Sequence, residues 1–329
     1  MRAEQLNNYI DLVEERIGEI LADADQLVTR YVADISKSRG KRLRPRMLIS
    51  FCEIFGGAEI SSSINCSACC ELLHTATLIH DDIIDEAATR RGNVTLSSMY
   101  GNEVAVIVGD YVLALVLKSL NHERDFELTE MLLDTSQELG MGVIEEVLNR
   151  NNFRLSVEKY YDVINLKTAV LFSLCCRMGA YLGGADERQI KLAGEYGRFL
   201  GLAFQIVDDL LDLTQDEQST GKPVMSDLRE GRITLALVHA LMQDAPRTQD
   251  LAERYQETHA DEDAQAIKAH LFASGSIQFS MDSVRGFIAK ARAVSVRMAD
   301  DARHPQWLEE LEDVEKRVLE VLPASVAPH

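Results

Sequence analysis

The segment Cys66–Asp85, CSACCELLHTATLIHDDIID, decides how this chain is read. Its apolar positions Cys69, Leu72, Leu73, Ala76, Ile79, Ile83 and Ile84 step by three and four, the spacing of one buried helix face. Ser61 or Ser62 can cap that helix. The helix then ends in acid, at Asp81, Asp82 and Asp85. At about 100° per residue, Asp81 and Asp85 lie about 40° apart and about 6 Å along the axis, with Asp82 roughly 100° away. Two carboxylates on one face repel unless a cation lies between them. A hard divalent ion such as Mg²⁺ takes one or two carboxylates together with phosphate oxygens and water. Standing alone, the cluster would fit a solvated helix end equally well.

It does not stand alone. Phe204–Asp212, FQIVDDLLD, repeats the spacing at Asp208, Asp209 and Asp212, again after an apolar run. Asp208 and Asp212 share a face, and Gln205 lies on the same stripe. Two such clusters at the ends of buried-looking helices point to metal. If the two helices face each other, several magnesium ions could gather around one diphosphate.

Helical spacing recurs along the whole chain: Leu6–Tyr31, a helix opened by Pro45 and running to about Phe55, then 103–121, 127–150, 157–182, 187–213, 233–243, 249–273, 277–298 and 305 onward. No run alternates convincingly with period two, and Gly and Pro are too sparse for a turn-rich β fold. The expectation is an all-α protein with no linker or repeat. Thr214–Arg232 is the most irregular stretch, and a polar loop of that length inside a helical domain is often functional.

The chain has 329 residues, with 53 acidic and 34 basic side chains and a formal net charge of −19. That balance argues against nucleic-acid binding, which needs a basic surface. It leaves room for an anionic substrate in a locally basic pocket. The opening residues lack a signal-type apolar segment. The longest apolar candidate, Val104–Leu117, is interrupted by Asp110 and reads as a buried helix. The six cysteines include a C-x-x-C at Cys66–Cys69, which raises zinc or redox chemistry. Without a second Cys/His pair at zinc spacing, buried small side chains in a reducing cytoplasm are the better reading.

Cations cluster near the acids. GKRLRP supplies Lys41, Arg42 and Arg44, RRG supplies Arg90 and Arg91, KT supplies Lys167 and Thr168, and GKP supplies Lys222. Lysine suits a diphosphate as a point charge and arginine as a bidentate fork.

These pieces together resemble the trans-isoprenyl diphosphate synthases, or polyprenyl synthetases. The resemblance rests on GKRLRP, LLHTATLIHDDIIDEAATRRG, GNEVAVIVGDYVL, KTAVLF, GLAFQIVDDLLDL and GKPVMSDLREGRIT, in that order across about 40–234. It implies a single domain over 1–329 with the isoprenoid synthase fold, a helical bundle around a deep central cavity, and a homodimer. It implies a first magnesium site at Asp81 and Asp85 with Asp82 nearby. The second would lie at Asp208 with Asp212, with Asp209 beside them. Two or three Mg²⁺ ions would serve the site. Arg90, Lys167, Thr168, Gln205 and Lys222 would hold the allylic diphosphate. Lys41, Arg44, His74 and Arg91 would hold isopentenyl diphosphate. His74, roughly 10 Å below Asp81 along the helix, also fits a hydrogen-bonded core histidine.

The implied reaction is ionisation of the allylic diphosphate, attack by the isopentenyl double bond, and proton loss to pyrophosphate, with water excluded. In this family large aromatic side chains one turn before the first acidic cluster shorten the product. Here those positions are Ala76 and Thr77, so a product longer than geranylgeranyl is expected, from hexaprenyl to nonaprenyl. A floor set elsewhere, at Met131 or Leu132, is the alternative. Such a product also allows peripheral membrane contact during release. Departures are MGVIEEV at 141–147, where relatives carry Gly-Glu and a Gln, the missing Pro near Ala236, and a loosely matching C-terminal part. The competing readings are a shorter-chain synthase, a catalytic subunit of a heteromeric synthase, and a terpene cyclase, which would not need the GKRLRP and RRG cations.

Overall fold

The computed structural model describes residues 3–35, 42–57, 59–90, 92–214 and 225–299. Of the expected site residues, Lys41, Arg91 and Lys222 lie outside them, as does the helix expected from 305 onward. Among the described residues the chain is all-α apart from one small hairpin.

The elements are α1 Ala3–Ala22, α2 Gln26–Ile35, α3 Leu43–Phe55, α4 Ile60–Ile84, β1 Thr89–Arg90, β2 Asn93–Val94, α5 Leu96–Tyr100, α6 Asn102–Asn121, α7 Phe126–Leu148 and α8 Val157–Ile164. A π-turn, Asn165–Ala169, follows. Then come α9 Val170–Leu182, α10 Glu187–Thr214, α11 Ser226–Arg229, α12 Leu235–Gln243, α13 Ala245–Thr258, α14 Asp261–Ala273 and α15 Ser276–Ala299.

Several boundaries differ from the periodicity reading, each for a local reason. The first amphipathic stretch is two helices, because Asp25 turns its carboxylate onto the backbone N–H of Leu27 (2.9 Å) and starts α2 afresh. The stretch 249–273 splits at His259, which adopts a left-handed φ of 51°. Its first half starts earlier than expected, at Ala245, where Asp244 caps the helix and Pro246 occupies the first turn. The hairpin pairs Thr89 with Val94 and Arg90 with Asn93. Gly92, at φ 78°, supplies the positive φ that so tight a turn requires. The run Val157–Gly183 is long and apolar enough to cross a membrane, yet 78% of its apolar window is buried in protein, as in a core helix.

Two compact units emerge. The first comprises Met1–Ser136, Leu171–Gly194 and Val296–Glu310. Here α4 packs on α6, α3 and α1. Gly109 of α6 lies against the His80 ring, where a Cβ would overlap the imidazole. On α9, a Cβ at Gly179 would strike the Leu48 carbonyl and Phe51. Arg42, at a left-handed φ of 51°, joins α1 to α4: its guanidinium reaches both carboxylate oxygens of Glu14 and, at 2.6 Å, Glu71 Oε1. All three side chains are largely buried, so Arg42 serves the scaffold rather than joining the phosphate-facing cations expected from GKRLRP. The six cysteines are free and buried. Burial pushes the thiol of Cys69 up to about 12 and that of Cys66 well above its ordinary range, which keeps both protonated and unreactive.

The second unit comprises Gln137–Val170, Glu195–Ser295 and Leu311–His329. Its core joins Ile206, Val207 and Leu210 of α10 to Leu237 of α12, Ile267 of α14 and Val284 of α15. Tyr161 meets Phe287 edge to face at 5.2 Å.

Candidate functional site

In the first unit, α4 delivers its acids at its C-terminal end. The Asp85 N–H donates to the Asp81 carbonyl (2.8 Å), and Asp85 stands at the cap rather than inside the helix. Glu86 takes the left-handed turn (φ 50°) that stops it. Asp81 and Asp85 are half-buried, whereas Asp82 is buried. The hairpin folds Arg90 back so that its Nε–H donates to Asp82 Oδ1 at 2.5 Å. Asp82 thus stands apart from the other two, as helix geometry predicted, and Arg90 is committed to it. One turn earlier, Ala76 is buried and Thr77 half-buried, the Thr77 hydroxyl donating to the His74 carbonyl at 2.8 Å. His74 is half-buried. Arg44 lies over the Phe172 ring, 4.9 Å from its centroid.

In the second unit the acids end α10. Asp208 is exposed, and Asp209 is buried. Asp209 accepts the Tyr160 hydroxyl (2.6 Å) and the Gln205 amide N–H (2.8 Å). The Gln205 carbonyl oxygen in turn accepts the Thr168 hydroxyl at 2.6 Å. Thr168 and Lys167 sit in the π-turn, an irregularity frequent at functional sites. The Lys167 ammonium contacts Glu146 at 2.5 Å. Asp212, four residues after Asp208 on the same helix, accepts the backbone N–H groups of Ser226 and Asp227 on its two oxygens, both at 3.0 Å. Arg232 binds Asp227 at 2.9 Å and also Glu230. The turn that carries Asp227 is pinned by the Asn151 N–H on the Gly231 carbonyl and by Gln256 on the Leu228 carbonyl.

Electrostatically this end of α10 is under-compensated. Burial, then the nearby charge of Asp227, push Asp212 up to about 7. The same two causes push Asp209 well above the usual carboxylate range, partly offset by Tyr160 and Gln205. A divalent cation would favour the ionised forms. Among the described residues, no three His, Cys, Asp or Glu side chains are grouped to hold a metal by themselves. Magnesium needs no such cage, since phosphate and water complete its shell, so the carboxylates present fit that ion.

Tyr160, Glu146 and Asp227 were not singled out by the sequence. Asp227 falls in the irregular loop, which was the one available signal. Glu146 lies in the divergent MGVIEEV. No pattern marked Tyr160.

Two helices that end in aspartate pairs, one of them joined through Gln205 to a threonine of the π-turn, form the donor set of an enzyme that handles diphosphates with the help of a divalent cation, and the comparisons with known proteins agree with that class. The polyprenyl synthetase family model matches residues 25–271, and the chain belongs to that family. It is 33% identical over 244 residues to heptaprenyl diphosphate synthase component 2 of Bacillus subtilis, covering 74% of this chain and 70% of that one. It is 34% identical over 242 residues to geranylgeranyl diphosphate synthase of Sulfolobus acidocaldarius, covering 68% and 73%. The crystal structure of a Caulobacter crescentus polyprenyl synthase, complexed with calcium and isoprenyl diphosphate, matches with a TM-score of 0.85 at 28% identity, covering 96% of this chain and 94% of that one. The chain is a trans-prenyltransferase that makes polyprenyl diphosphates, and its family binds diphosphate through divalent metal.

Proposed function

We propose that this enzyme condenses isopentenyl diphosphate with an allylic diphosphate, using two or three Mg²⁺ ions, and releases a product longer than geranylgeranyl. The carrying observation is the network of the second unit. There Thr168 is tied through Gln205 to Asp209 at the acidic end of α10, while its neighbour Lys167 in the same π-turn is held by Glu146 of α7, so hydroxyl and cation are fixed side by side in the turn that joins that end of α10. Asp81 and Asp85 with Asp82 in the first unit, and Asp208 with Asp212 in the second, are the residues that would hold metal. Bound magnesium supplies charge neutralisation for the departing diphosphate. Lys167, Thr168 and Gln205, with Arg90 and Lys222, orient that group and stabilise its growing charge. Lys41, Arg44, His74 and Arg91 hold isopentenyl diphosphate. Apolar walls keep water from the allylic cation.

Small Ala76 and Thr77 support the longer product. Exposed apolar side chains on α6 (Val106, Ile107) and α7 (Met141, Ile144, Leu148) support a homodimer. The buried free cysteines support a reducing, cytoplasmic setting. A second reading, a catalytic subunit that needs a partner chain, is favoured by the relative named as a synthase component.

Incubating the purified chain with magnesium, isopentenyl diphosphate and farnesyl diphosphate, then sizing the dephosphorylated product, tests these readings. Hexaprenyl to nonaprenyl alcohols are expected from the wild type, with shorter ones from Ala76→Phe. Elongation that stops at geranylgeraniol length refutes the length assignment, cyclised hydrocarbon indicates a cyclase, and recovery of farnesol alone, meaning no turnover, indicates a missing subunit.

A further inference from the structure

The divergent stretch MGVIEEV meets the π-turn directly. Gly142 is buried on α7, and a Cβ there would lie 2.5 Å from the Lys167 backbone nitrogen and 2.6 Å from the Leu166 carbonyl carbon. No side chain fits that gap, so helix backbone touches turn backbone. Glu146 lies on the same face, about 6 Å further along the helix. Its carboxylate takes the Lys167 ammonium at 2.5 Å, with both side chains mostly buried. Closure of the π-turn by the Val170 N–H on the Asn165 carbonyl widens the helix there. Lys167 then turns to α7 while Thr168 turns to Gln205 on α10.

We infer that Gly142 and Glu146 are positioning residues for Lys167. The glycine sets how closely α7 approaches the π-turn. The glutamate holds a flexible ammonium at one point, which fixes where its charge stands for a phosphate oxygen. This rests on the assignment of Lys167 to the allylic diphosphate.

Steady-state kinetics on the full chain, with farnesyl and isopentenyl diphosphates and magnesium, test it alongside thermal melts. Glu146→Ala should raise KM for farnesyl diphosphate about tenfold, the loss of one charge-assisted contact. KM for isopentenyl diphosphate should stay within about twofold and the melting temperature near wild type. Glu146→Gln keeps an acceptor and should recover most of the affinity. Gly142→Ala should shift the same constant in the same direction as Glu146→Ala. On a Lys167→Ala background, Glu146→Ala should add nothing. Three results overturn the inference: Ala and Gln variants that both tighten farnesyl diphosphate, as for a competing anion; parallel losses for both substrates and in stability, as for a scaffold; or a Glu146→Ala effect that survives without Lys167. An unchanged KM in Lys167→Ala alone would show that the assignment of Lys167 had failed, and the inference with it.

Discussion

Asp212 and Ser226, 14 positions apart, are joined by two hydrogen bonds to one oxygen: Asp212 Oδ1 accepts the Ser226 backbone N–H at 3.0 Å and its hydroxyl at 2.6 Å. The carboxylate that sequence spacing assigned to a metal face therefore closes the start of α11. Burial still raises it from an ordinary 3.8 to about 7. Between those values the folded protein keeps a proton that the unfolded chain has released, so this group lowers stability as pH rises through the window. Asp212→Asn removes the effect. In chelator-treated protein, the melting temperature of the variant relative to wild type should climb as pH rises from about 4 to about 7, then level off. A difference that ignores pH across that range would refute the coupling.

The pairing of Arg90 with Asp82 separates the acids of the first cluster. Asp81→Ala should lower kcat by about a hundredfold or more at saturating magnesium, as loss of a charge-stabilising group does. Asp82→Ala should cost less, because its carboxylate is already held by Arg90 and stands apart from Asp81 and Asp85. Turnover of the two variants decides this; equal damage from Asp81→Ala and Asp82→Ala would contradict it.

Tyr160 holds a buried carboxylate. Tyr160→Phe leaves Asp209 without one of its donors and should lower unfolding free energy by about 1–3 kcal/mol. Urea denaturation at constant pH measures it. Wild-type stability in the variant would mean that another group satisfies Asp209.

Two helix glycines should respond oppositely to alanine. At Gly179 the new methyl meets the Leu48 carbonyl and Phe51, so Gly179→Ala should destabilise by about 1–3 kcal/mol. At Gly140, on the exposed side of α7, nothing lies within 4 Å, so Gly140→Ala should stabilise by about 0.5–1 kcal/mol. Paired urea titrations compare them directly, and the same sign at both sites would defeat the packing argument.

Much of this was legible in the primary structure. A period of three and four marks a buried helix wherever it occurs, so α4, α6, α7 and α10 could be placed within a few residues. Local geometry also sets Asp82 apart from Asp81 and Asp85, since the angle between neighbours on a helix is independent of the rest of the chain. Where a turn depends on one side chain, the reading slipped: Asp25 divides the first helix, and a left-handed His259 divides another. Neither leaves a gap in the hydrophobic pattern.

The sequence by itself determined a chain built mainly of helices and its two acidic helix ends, because these follow from spacing along one element, while the order of its motifs carried the resemblance to the family. Only the tertiary structure decided which charges are available. Arg42 turned inward to Glu14 and Glu71, Asp212 became a cap, and Lys167 met Glu146 across a glycine. Each outcome is set by a partner distant in sequence, and the cost of burying an unpaired charge selects that partner only once the helices have packed.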